Sequence, residues 1–175
     1  MVRRSYAKNV ALVGIMAATV ECAKLALAAL PNIEAVTLLL ALYSYVFGWV
    51  GVASSFVFVM IEPLIYGFGS WVISYFIYWP LLSLVFLFLG RIRMKNRFAL
   101  CAAAVIMTVL FGVLTSLVDV GFFSGSFENF AYRFSLYYVR GVPFYLLQTG
   151  CNAVLFLLVF PFLSKKLLPL KNRLI

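Results

Sequence analysis

A charged side chain buried in a bilayer costs at least a few kcal/mol, so an ionisable residue inside an apolar run is a functional candidate by default. This chain has three basic clusters and, outside them, eight charged residues: Glu21, Lys24, Glu34, Glu62, Asp119, Glu128, Arg133 and Arg140. Such groups can hold a polar ligand by ion pairing and hydrogen bonding. Catalysis is a poor match. The chain has no histidine, which removes the commonest acid–base catalyst and metal ligand. It has no acidic pair on a basic, inward-facing surface and no phosphate-cradling P-loop. Cys22, Cys101 and Cys151 lack CxxC spacing and lie in apolar runs, which predicts small buried residues rather than metal ligands. The expectation is no enzyme activity in the chain itself, no metal and no cofactor.

The elements that must position these residues are membrane helices. Of the 175 residues, 66% are hydrophobic and 11% charged, and mean hydropathy is +1.10. A soluble domain is roughly 45–50% apolar and about 25% charged. This composition excludes a soluble enzyme, a disordered region and a nucleic-acid module. It predicts one integral membrane domain over 1–175. The net charge of +9 reports topology rather than nucleic acid. Arg3, Arg4 and Lys8 lead the chain, Arg91, Arg93, Lys95 and Arg97 sit mid-chain, and Lys165, Lys166, Lys171 and Arg173 close it, with no acid in any cluster. The positive-inside rule places all three in the cytoplasm, so crossings between neighbouring clusters are even in number.

The fold expected is an all-α, six-transmembrane-helix bundle with both termini cytoplasmic. Helices are predicted over about 9–30, 34–47, 52–66, 70–89, 98–118 and 134–163. Turns are expected at Pro31-Asn32, 48–51 and 67–69, a kink at Pro80, and Pro161 near the inner end of the last helix. The second and third helices are short for a core of about 30 Å and can instead form a hairpin that does not fully span. The segment 121–130 is read as an outer loop folding back onto the bundle. No cleavable signal peptide is expected, because Glu21 and Lys24 interrupt the first apolar stretch.

At a rise of about 1.5 Å per residue, all eight isolated charges fall in the outer half or just beyond it. The inner half carries no charge apart from its cytoplasmic rim. This one-sidedness predicts a pocket open to the outside, formed by Glu21, Lys24, Glu62, Asp119 and Arg140 against Tyr75, Tyr78 and Trp79. A channel needs polar groups through its whole depth, and an alternating-access transporter usually binds near the midplane. The competing structural reading is that the charges pair with each other, as Glu21 and Lys24 can at i and i+3, and that the aromatics form an interfacial belt. Small residues on the first helix, Ala7 and Ala11 and then Gly14 and Ala18, form ridges that let another helix approach closely, within the bundle or on a second membrane protein.

The run Ala11-Leu12-Val13-Gly14-Ile15-Met16-Ala17-Ala18, followed by Leu30-Pro31-Asn32-Ile33-Glu34-Ala35-Val36-Thr37, resembles the substrate-binding S components of energy-coupling factor (ECF) vitamin transporters. Tyr66-Gly67-Phe68-Gly69-Ser70-Trp71 and Tyr78-Trp79-Pro80-Leu81 fit a branch of that group. The resemblance implies a bacterial, multi-pass cell-membrane protein that binds a vitamin in its outer half. It implies partners too: membrane lipid, a transmembrane coupling protein and two ATP-binding subunits that drive transport. It assigns Ala7, Ala11, Gly14 and Ala18 to docking on the coupling protein, and the connections after helices 1 and 5 to capping the pocket. It also implies that the subunit topples in the membrane to release its ligand. Cobalamin is the vitamin that the branch implies, with pantothenate and a pyridoxine-like vitamin as alternatives. A rival from another class is a structural subunit of the bacterial cell-elongation complex, which needs no outer polar pocket.

Overall fold

The computed structural model describes residues 2–30, 33–122 and 129–174, and every regular element among them is helical. The helices are α1 (Val2–Ala26), α2 (Val36–Phe47), α3 (Trp49–Tyr66), α4 (Trp71–Arg91), α5 (Arg97–Phe122) and α6 (Phe130–Val154). A π-helical turn, Leu155–Val159, then joins α6 directly to α7 (Phe160–Leu174). Five stretches are long and apolar enough to cross a membrane: Tyr6–Ala26, Trp49–Tyr66, Trp71–Arg91, Arg97–Phe122 and Phe130–Lys171. The protein is a helical multi-pass membrane protein.

The sixth expected crossing is different in kind. The twelve residues of α2 make a rod of about 18 Å, short of the roughly 30 Å core. Nine of the twelve are buried, so the other helices enclose α2 nearly all round. Glycine permits this. A Cβ at Gly51 of α3 or at Gly90 of α4 would run into the α2 backbone, at the Tyr43 and Tyr45 carbonyls respectively. The expected turn at 48–51 contracts to Gly48 alone, whose φ of 69° is strained for an L side chain. Helix α3 therefore begins three residues before the sequence pattern predicts.

Helix α1 begins at Val2, seven residues before the expected start, whereas the bounds of α2, α4 and α5 lie within four residues of expectation. Helix α1 ends at Ala26, four residues early, and passes into turns through Leu30. Helix α4 runs through Pro80, which lies buried at its centre. The last helix extends further at both ends than predicted, and Pro161 lies near the start of α7 rather than at a terminus. The turn at Pro31-Asn32 and most of the 121–130 loop lie outside the described residues.

Large side chains fill the centre. Phe86, Phe156 and Phe160 are fully buried, with Phe156 and Phe160 stacked at 5.0 Å between centroids and Phe86 at 5.3 Å from Phe156. Nearer the outer end, the end remote from the basic clusters, Tyr78, Trp79, Phe58 and Phe111 form a second aromatic knot. The buried face of the last helix carries Gln148, Asn152, Phe156, Phe160 and Ser164, every fourth residue. A regular α-helix drifts by about 40° per four residues, so this stripe would wind off the bundle. The wider π turn takes up the drift and keeps all five facing inward. Of the cysteines, Cys101 is buried, Cys151 half-buried and Cys22 exposed on α1, so the expectation of three buried thiols fails for Cys22.

Candidate functional site

The charged residues at the outer end fall into two groups on different helices. The first joins α1, α3 and α4. Lys24 makes an ion pair with Glu62 of α3, not with Glu21 one turn away. Glu62 is 1% exposed. The Lys24 ammonium also lies over the rings of Tyr66, at 4.1 Å, and Tyr75, at 5.7 Å, where the negative ring faces attract it. Glu21 accepts a long hydrogen bond of 3.4 Å from the Tyr66 hydroxyl. Its other carboxyl oxygen, like Oε1 of Glu62, is buried without a partner. Two carboxyl groups thus lie near one ammonium, and only Glu62 pairs with it. Trp71 packs edge-on to Tyr75 at 5.0 Å and covers it.

The second group joins α5 and α6. Asp119, Arg133, Tyr137 and Arg140 line an open groove of about 470 Å³, with Ser70 from the turn before α4 on its far wall. Asp119 and Arg133 are half-buried, whereas Arg140 and Tyr137 are exposed. The spacing on α6 explains the arrangement. Arg133, Tyr137 and Arg140 recur at i, i+4 and i+7 and so share one face of the helix. That face sits beside the end of α5, where Asp119 stands.

Tyr78 and Trp79 join neither group. Both are 2% exposed and belong to the aromatic knot. Tyr75 is half-buried and sits between the knot and Lys24, 5.6 Å from Trp79 and 5.7 Å from the ammonium. The eight residues expected to line one pocket therefore divide into a closed charged cluster, an aromatic core and an open groove.

Sequence reasoning placed Glu34 near the water and passed over Gln148. In the structure the Glu34 carboxylate is a hub. It accepts hydrogen bonds from the backbone N–H groups of Val36 (3.0 Å) and Thr37 (3.4 Å), from the Thr37 hydroxyl (2.6 Å) and from Nε2 of Gln148 (3.1 Å). The first two satisfy amides at the start of α2 that have no helical partner, and the third holds the Thr37 side chain. The fourth ties the connection after α1 to α6, across the bundle. One turn further along α6, Asn152 Nδ2 donates to Thr108 Oγ1 of α5 at 3.0 Å. An acid three residues before Thr37, at the head of an apolar run, was the available signal for capping; nothing in the sequence points to Gln148.

The small residues of α1 face outward. Ala7, Ala11, Gly14 and Ala18 are all exposed, while Met16, Ala17 and Val20 on the opposite face are buried. A Cβ built on Gly14 would meet no atom within 4 Å. Gly14 borders a broad groove of about 560 Å³ between α1 and α3, walled by Val10, Val13, Trp49 and Val57. The ridge is thus unused by the packing of this chain. Comparison with protein-family models, curated proteins and solved structures finds no match for the chain.

Proposed function

We propose that this protein is a substrate-binding S component of an ECF-type vitamin transporter, with six helices, cytoplasmic termini and its ligand held at the outer end. The observation that carries this reading is the groove between α5 and α6. Asp119, Arg133 and Arg140 present both signs of charge, and Tyr137 adds a planar wall with a hydroxyl. Such a lining suits a zwitterionic or amide-bearing heterocycle. Its volume of about 470 Å³ favours a small vitamin of the pantothenate or pyridoxine-like kind. A corrinoid as large as cobalamin requires the groove to widen. Two further features support the reading. The outward ridge Ala7, Ala11, Gly14 and Ala18 is available to a coupling protein. The Glu34–Gln148 hydrogen bond ties the connection after α1 across the outer end, where a cap belongs.

The closed cluster favours a second reading. Lys24 and Glu62 satisfy each other across two helices, which is what a scaffold of the cell-elongation complex requires. Native mass spectrometry of the gently purified protein separates the two. A co-purified vitamin supports the S component; ligand-free protein that binds none of a vitamin panel supports the scaffold. Topology is tested separately by labelling Lys95→Cys in intact cells, where reaction with an impermeant reagent would refute cytoplasmic clusters.

A further inference from the structure

The basic end of the bundle has a groove of its own, of about 330 Å³, between the α4–α5 turn and α7. Three cations stand around it: Lys95 from the turn, Arg97 at the start of α5 and Lys165 of α7. Among the described residues none of the three forms an ion pair. The described acids, Glu21, Glu34, Glu62 and Asp119, all belong to the opposite half of the molecule. Three like charges held together without a counterion repel one another, and an anion relieves that repulsion.

The wall that carries Lys95 is fixed rather than loose. Arg93 takes a left-handed φ of 54° to end α4, and the Met94 N–H donates to the Leu89 carbonyl at 3.0 Å. The Tyr45 hydroxyl then donates to the Met94 carbonyl at 2.7 Å, tying the turn to α2. Asn96 Oδ1 accepts from the Phe98 N–H at 2.9 Å and starts α5. The positive end of the α5 dipole opens at the same place. Opposite, Phe160 packs edge-on against Tyr45 at 5.4 Å and sets the start of α7. The rest of the lining is mainly apolar, formed by Leu100, Pro161 and Leu168, with the buried Ser164 hydroxyl turned back to donate to the Pro161 carbonyl at 3.1 Å, and it runs out to the exposed side chain of Leu168. Charge at the rim above an apolar channel is the complement of a phosphate attached to a hydrocarbon chain.

We propose that this groove binds the phosphate of an anionic phospholipid, with the headgroup among Lys95, Arg97 and Lys165 and an acyl chain along Leu100, Pro161 and Leu168. Basic pockets between membrane helices recognise such headgroups elsewhere, at a gain of about fivefold in affinity per cation. The apolar floor distinguishes a lipid from free phosphate, which has no use for it. The proposal is independent of whatever occupies the outer groove.

The test is native mass spectrometry of the full-length protein in detergent, with added phosphatidylglycerol or phosphatidylcholine. Phosphatidylglycerol is expected to stay bound at least about tenfold more than phosphatidylcholine. The triple variant Lys95→Gln, Arg97→Gln, Lys165→Gln is expected to lose that preference. The control Arg93→Gln, Lys166→Gln, Arg173→Gln removes the same charge outside the groove and is expected to keep it within about twofold. Leu168→Trp leaves the charge intact, obstructs the apolar channel and is expected to lower retention about fivefold; this variant decides the matter if the triple variant aggregates. Equal losses in the two triple variants, or no effect of Leu168→Trp, would overturn the proposal. So would displacement of the lipid by millimolar inorganic phosphate alone, which marks a free-anion site.

Discussion

Two groups of charged side chains share the outer end of this bundle, and they are built in opposite ways. At the α1–α3 contact, Lys24 and Glu62 close on each other beneath Tyr66 and Tyr75, and Glu62 has almost no exposed surface. At the α5–α6 contact, Asp119, Arg133 and Arg140 flank a groove that stays open. A closed pair holds helices together because breaking it strands a charge in a low-dielectric interior. Charges beside an open groove can still be reached by something that arrives from outside. The same residue types at the same depth therefore do different work, and solvent access decides which.

The largest effect is expected where the closed pair is broken. Lys24→Met leaves Glu62 buried without its partner and is predicted to destabilise the protein by about 3–5 kcal/mol. Replacing both, Lys24→Met with Glu62→Leu, is predicted to return stability to within about 1 kcal/mol of the parent, read as unfolding midpoints in detergent. A neutral single variant would return the cluster to the list of ligand sites. Next comes the link between the two regions. Glu34→Ala removes the acceptor shared by Val36, Thr37 and Gln148 and is predicted to cost about 2 kcal/mol. Slower hydrogen exchange at the Val36 and Thr37 amides in the variant would contradict the hub.

The open groove is expected to respond in binding instead of stability. Arg140→Ala should leave the unfolding midpoint within about 0.5 kcal/mol of the parent, because the side chain is exposed. Affinity for the co-purified ligand should fall at least about tenfold, or about 1.4 kcal/mol. A destabilised Arg140→Ala with normal affinity would erase the contrast between the two regions. The smallest effect on the isolated protein is expected at the α1 ridge. Gly14→Leu meets open space, so stability and ligand binding should both persist while uptake in cells falls. Loss of binding in that variant would mean the ridge serves this bundle after all.

Much of this architecture was legible in the chain. Apolar length and the basic clusters located five of the crossing segments, and Gly48, Gly67 and the Arg91–Arg97 cluster marked their ends to within a few residues. The enclosed position of α2 was not legible, because a continuous apolar run looks the same whether lipid or protein surrounds it. The grouping of the site residues around the bundle was not legible. Counting residues along a helix gives height through the rise per residue. The angle around the bundle depends on which helices touch, and no single sequence supplies that. Arithmetic puts Glu21, Lys24, Glu62, Asp119 and Arg140 toward one end of the bundle, yet they divide between two sides. Tyr78 and Trp79 turned inward for the same reason: aromatic residues at an interface and in a core have the same composition.

The π turn at Leu155–Val159 has a consequence for how this chain tolerates changes in length. Elsewhere along a helix, removing one residue rotates everything beyond it by about 100°. Between α6 and α7 the widened turn already contains the extra residue, so a deletion there tightens it into ordinary α-helix. The helix beyond it keeps its angle: with that residue gone, Phe160 stands about 20° from three full turns beyond Gln148, so Phe160 and Ser164 stay on the bundle and Lys165 stays in the groove it shares with Lys95 and Arg97. The turn thus acts as a phase lock, holding one rod in the angular setting that lets Gln148 address the outer end and Lys165 the basic end at once.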